Sequence, residues 1–259
     1  MKNTHKLLFG LAILLLTAPV WYAFLLSQEL TTIKPKPQFV LPESNEQVSF
    51  AVDTDTFRYI VSDGVSVQLD TGQWQATLQT SKELFPHYSI EVRNDTLYLI
   101  KDPALPQYGD WALVRVQAPQ INGVTVVNGG QIHVESIEPR FYSRHLTIRI
   151  GEGKIYLPVD TDALDLHYEG GGDAMLRGKA GRLNVHGHQS PGNLSAFNLK
   201  VDTAYVQRSG QTSFHLQVNR YLEADLLNSY GDLVYVGRPV VVKKENARGR
   251  VIDAHRITK

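Results

Sequence analysis

The 259-residue chain contains no cysteine. That excludes disulfides, thiol catalysis, thiolate-bound zinc and lipid attachment to an N-terminal cysteine. It assigns no compartment, because cysteine-free chains occur everywhere. Excess charge is missing as well. Lys+Arg and Asp+Glu number 26 each, so the formal net charge is zero. A neutral chain lacks the basic stripe that displaces counterions, and no nucleic-acid partner is expected. After residue 30 no segment carries a 3.6-residue apolar stripe, so amphipathic helices are excluded from the bulk of the chain. Phosphate loops, zinc-protease helices, nucleophile elbows and calcium loops are also absent. The glycine clusters lead into strand-like sequence, whereas a phosphate cradle needs a helix after it. No cofactor is expected.

What is present begins with an uncharged run from Leu7 to Leu26, preceded by Lys2, His5 and Lys6. Its 20 residues suffice for a helix across a hydrocarbon core of roughly 30 Å. Trp21 and Tyr22 lie near its far end, as interfacial aromatics do. A cleaved signal peptide is the alternative. It would have a shorter apolar core of about 7–15 residues and a small-x-small site, which Ala18 and Ala23 do not make. The reading is an uncleaved anchor over residues 1–26, single-pass in a bacterial inner membrane. The remainder would lie on the periplasmic or extracellular side. Residues 27–46 form a linker, in which Lys34-Pro35-Lys36-Pro37 and Pro42 favour a semi-rigid polyproline spacer.

From Gln47 the pattern alternates with period two: Val48, Phe50, Val52; Phe57, Tyr59, Val61; Val65, Val67, Leu69. Residues 47–119 thus read as a region of β-strands. Over residues 120–253 the strands repeat. Apolar pairs recur at Val124/Val126, Leu146/Ile148, Leu164/Leu166, Leu183/Val185, Ala204/Val206, Leu222/Ala224 and Val240/Val242. The steps between them are 22, 18, 19, 21, 18 and 18, a mean of about 19. A second strand follows each, at Ile132/Val134, Ile155/Leu157, Leu176, Leu194/Ala196, Phe214/Leu216 and Leu233/Tyr235, after a polar or glycine-rich turn. A fixed period near 20 predicts an all-β, parallel β-helix-like solenoid, because one coil cannot bury its apolar side without a neighbour. A β-sandwich is the alternative. Residues 254–259 are a polar tail.

These residues resemble a known family. Leu97-Tyr98-Leu99-Ile100, Val114 to Pro119 followed by Ile121, and Asn128-Gly129-Gly130-Gln131-Ile132 match its early strands and first glycine turn. Gly171-Gly172-Asp173 and Tyr230-Gly231-Asp232-Leu233 match later turns, and Gly237-Arg238-Pro239 with Val240 to Lys244 its closing strand. Over residues 48–253 the chain is similar to the putative auto-transporter adhesin, head GIN domain family. It departs from the pattern at Gln189-Ser190-Pro191 and Arg208-Ser209-Gly210-Gln211. The resemblance implies a bacterial β-solenoid and no catalytic residues. Adhesion would follow from it only by analogy.

The repeat supplies a register for candidate sites. Leu164 against Leu183 puts His167 beside His186 and Glu169 beside His188, all with outward parity. Coils about 4.8 Å apart would gather His167, Glu169, His186 and His188 into a patch of metal-ligand type. The same column runs through Arg149, Gln207 and Asp225, and its neighbour through Thr147, Asp165, Asn184, Tyr205 and Glu223. Such a polar face suits a polysaccharide. Asp165 and Glu169 would lie about 13 Å apart along one strand, too far for a glycosidase pair. The function expected is a membrane-anchored, non-enzymatic envelope protein displaying a solenoid for adhesion or for binding a protein or glycan. A lyase-like polysaccharide enzyme on a β-helix and a metal-binding module are the alternatives.

Overall fold

A computed structural model of the chain describes residues 47–52, 56–105, 112–134, 142–187, 191–211, 213–246 and 248–256. The expected anchor and linker lie outside them. Among the described residues the alternating pattern yields seventeen strands and two single-turn 3-10 helices, Phe85–His87 and Ala254–Arg256. The strands are β1 (Gln47–Val52), β2 (Tyr59–Asp63), β3 (Ser66–Thr71), β4 (Gln75–Ser81), β5 (Tyr88–Arg93) and β6 (Thr96–Lys101). Next come β7 (Ala112–Ala118), β8 (Gly123–Val127), β9 (Gly130–His133), β10 (Tyr142–Ile150), β11 (Gly153–Tyr168) and β12 (Asp173–Gly187). The last are β13 (Leu194–Arg208), β14 (Phe214–Asp225), β15 (Leu233–Val236), β16 (Val240–Lys244) and β17 (Val251–Asp253).

The fold is a parallel solenoid with two sheets. Strands β11 to β14 each turn a corner midway, so their N-terminal halves stack in one sheet and their C-terminal halves in the other. The first sheet contains β5, β6, β2, β8, β10, the C-terminal halves of β11 to β14, and β16. The second contains β1, β4, β7, β3, β9, the N-terminal halves, β15 and β17. Inward residues meet between them. Along the first sheet Leu97, Ile60, Val124, Ile148, Leu166, Val185, Val206 and Ala224 form one buried ladder. Each large apolar rung contributes roughly 1.5–3 kcal/mol on burial, which only a stacked neighbour can provide.

Residues before 120 enlarge the solenoid in an order that differs from the sequence. The β2–β3 coil lies between the β6–β7 coil and the β8–β9 coil, with parallel pairing on both sides. The outer edge of the β6–β7 coil is closed by antiparallel strands. β5 folds back on β6 through Asn94 and Asp95, both with positive φ as a primed hairpin turn requires. β4 closes β7, and β1 closes β4.

Two rungs differ from the sequence alignment. Val124 stacks on Ile148 and not on Leu146, a step of 24 where 22 was expected. The shift is two residues, so inward residues stay inward. At the other end Leu222 faces Val241, and Val240 and Val242 point outward with 66% and 46% exposure. A run of three valines has no parity of its own, and the Gly237 corner, at φ +117°, sets the phase. The intermediate steps of 18, 19, 21 and 18 between inward rungs hold in both.

The C-terminal edge is guarded. Lys243 stands opposite Ala224 in phase with the inward ladder, but its side chain is exposed and its Nζ is held by Glu245 Oε1 at 2.7 Å. The Asn246 side-chain amide donates to the carbonyls of Leu226, Leu227 and Ser229 at 2.6–3.1 Å. A lysine on an exposed edge strand discourages a further strand from docking. Lys243→Val should therefore make the chain self-associate, seen as a concentration-dependent dimer by sedimentation. A strictly monomeric variant at the same concentrations would contradict this role.

Candidate binding face

The outer surface of the first sheet is built from the residues between its inward rungs. Arg149, His167, His186, Gln207, Asp225 and Lys244 stand in register as one column. Thr147, Asp165, Asn184, Tyr205 and Glu223 form the next. From Arg149 to Asp225 this is the register expected from the leucine alignment, and it holds because a one-residue slip would expose the whole ladder behind it; Lys244 joins the column through the shifted last rung.

Neighbouring rungs satisfy one another. Asp165 accepts from Asn184 Nδ2 at 2.6 Å and pairs with His145 Nε2 at 2.7 Å. Burial pushes the Asp165 carboxyl up, but the Asn184 hydrogen bond and the His145 charge outweigh it and hold it below the usual carboxylate range. Arg149 Nη1 reaches Glu169 Oε1 at 3.0 Å. Tyr221 donates to Glu223 at 3.1 Å and packs on Tyr205, itself covered by the Arg182 guanidinium.

The expected metal patch is brought together only in part. The rings of His167 and His186 stack with centroids 5.2 Å apart and planes 22° from parallel. Their lone pairs therefore lie in near-parallel planes. Burial, Arg149 and His186 hold the His167 imidazole below its ordinary value. Glu169 is engaged by Arg149, and His188 lies outside the described residues. Among the described residues no group of three His, Asp or Glu side chains is arranged to hold a metal. The Asp165 carboxylate is engaged by His145 and Asn184, and the Glu169 carboxylate by Arg149.

At the turn side of this face a notch of about 350 Å³ is lined by His186, Gly187, Gln207, Arg208, Ser209, Asp225 and Asn228. Arg208 is only 4% exposed. It follows Gly187 and Tyr168 along an inward column, with its Cγ packed close over the Gly187 backbone. Its guanidinium carbon lies 3.7 Å from the Phe214 ring centroid, and Nη2 donates to the Gly192 carbonyl at 3.4 Å. Tyr168 packs on the same Phe214 and donates to the Asn193 carbonyl at 2.7 Å. Burial lowers the Arg208 guanidinium to about 10, still charged at neutral pH, and raises the Tyr168 phenol.

A family model described as "putative auto-transporter adhesin, head GIN domain" matches residues 58–239. The chain belongs to this family. The head GIN fold is shared with solved structures. A putative adhesin from Bacteroides fragilis has 18% identity and a TM-score of 0.71, over 81% of this chain and 97% of that one. A putative adhesin from Parabacteroides distasonis has 17% identity and a TM-score of 0.63, over 80% and 96%. A putative lipid binding protein from Parabacteroides distasonis has 14% identity and a TM-score of 0.55, over 80% and 94%. At these identities the likeness is one of fold. No curated protein matches the chain.

The head GIN domain also exposes residues on its second sheet that the sequence reading passed over. Tyr156, Met175 and Phe197 are 43%, 50% and 37% exposed, and Phe197 stacks on His215 at 4.9 Å. The signal was available: each stands beside an inward residue of the second-strand series, at Ile155/Leu157, Leu176 and Ala196. Arg208, where the sequence departs from the family's turn pattern, is the last residue of β13 and points inward. No helix among the described residues is long and apolar enough to cross a membrane, and residues 7–26 lie outside them.

Proposed function

We propose that the chain is a non-enzymatic component of the bacterial cell envelope, tethered through residues 7–26, whose solenoid displays an adhesive surface for a glycan or protein. The observation that carries this reading is the outer face of the first sheet. Six polar rungs in one column and five in the next make an extended, repeating surface, suited to a ligand that is itself extended. Membership of an adhesin-named family supports it, as do structural relatives named adhesins. The engagement of Asp165 by Asn184 and His145 and of Glu169 by Arg149 weighs against a lyase-like or hydrolytic role.

The test combines location and binding. Protease added to intact and osmotically opened cells should degrade the β-domain from outside the inner membrane. The full chain in detergent should bind members of a glycan and envelope-protein panel without releasing products. A cytoplasmic β-domain would overturn the envelope reading. Oligosaccharide release that depends on the chain would replace display with catalysis.

A further inference from the structure

The Arg208 notch narrows the display reading above, on which this inference rests. Its volume of about 350 Å³ admits a sugar residue and falls in the roughly 300–1,000 Å³ range of ligand sites. His186, Gln207 and Asp225 are successive rungs of one column, so the notch spans two coil spacings, about 10 Å. The column continues from it through His167 to Arg149, which extends the track for a chain-like ligand.

The charge at this place is uneven. Arg208 lines the notch, and its guanidinium, stacked on Phe214 and withdrawn from water, acts on a ligand there through its field and not by contact, because a charge behind low-dielectric walls keeps its field toward a cleft. The opposing carboxylate, Asp225, lies 3.8 Å from Lys244 Nζ. Amides from Gln207 and Asn228 and the Ser209 hydroxyl provide donors and acceptors of the kind that meet sugar hydroxyls. We infer that the notch binds a carboxylate-bearing sugar residue of an acidic polysaccharide, with the polymer lying along the column toward Arg149. The carboxylate is drawn by Arg208 and Lys244, and the hydroxyls by Gln207 and Asn228.

Calorimetric titration of the full chain in detergent with a short oligogalacturonate, and with the same oligosaccharide reduced at its carboxyl groups, tests this. The acidic form should bind about tenfold more tightly, as expected when a complementary charge is lost. Asn228→Ala should weaken binding about fivefold, the loss of a hydrogen bond to a neutral group. Asp225→Asn decides between sugar classes. It removes a repelling charge and releases Lys244, so uronate binding should tighten about threefold. Equal affinity for the two oligosaccharides, or weakened binding in Asp225→Asn, would overturn the inference. If neither binds while another glycan or protein does, the notch assignment falls and the display reading stands. If no ligand on the panel binds, both fall.

Discussion

Gly178→Ala is expected to cost about 3 kcal/mol, lowering the melting temperature by roughly 6–12 °C for a domain of this size. Gly178 sits at the corner of β12 with φ +108°, where an L side chain is strained. Its Cβ would also overlap the Val159 carbonyl oxygen of the preceding coil. That contact is backbone and cannot swing aside. Gly237 repeats the arrangement against the Val218 carbonyl at φ +117° and should behave alike. Gly129 is the internal comparison. Its φ is also positive, at +82°, yet nothing lies within 4 Å of the added carbon. Gly129→Ala should cost only about 1 kcal/mol, from strain alone. Equal losses at Gly178 and Gly129 would mean that the coils do not approach as closely as described. Thermal unfolding of the three variants makes the comparison.

Leu166→Asp should be at least as damaging. Leu166 is fully buried between Ile148 and Val185, and an unpaired carboxylate there costs several kcal/mol or forces local opening. A loss of about 4–5 kcal/mol is enough to unfold a domain of ordinary stability. Leu166→Ala, which leaves a cavity but no charge, should cost about 2–5 kcal/mol. The adjacent His167→Asp changes an outward side chain and should stay within about 0.5 kcal/mol. Denaturant midpoints of these variants would show whether inward and outward parity are as assigned. A tolerant Leu166 would reverse the faces.

The central coils were legible because Leu164, Leu183 and Ala204 alternate with polar residues that cannot be buried, so parity fixes each rung. The last coil was not, since Val240-Val241-Val242 is apolar at every position and carries no phase. The insertion of the β2–β3 coil between later strands was also hidden. Alternation reports which side a residue faces and is silent on which strand lies next to it. Of the candidate site, the two polar columns could be read from the repeat. The notch could not, because it depends on an inward arginine at Arg208, placed where turn residues were expected. Burying a cation is costly, so sequence patterning assigns arginine to the surface.

The register of the outer column underlies the fold, the display surface and the notch alike, and the absence of native cysteine makes it directly measurable. Cysteines introduced together as His167→Cys and His186→Cys occupy facing rungs, with a coil spacing of about 4.8 Å that suits a disulfide. Oxidation of the folded full chain should link this pair within one molecule nearly completely. The pair His167→Cys with Gln207→Cys, two coils or roughly 10 Å apart, should stay reduced. Linkage of the second pair and not the first would contradict the stacking register on which the account depends.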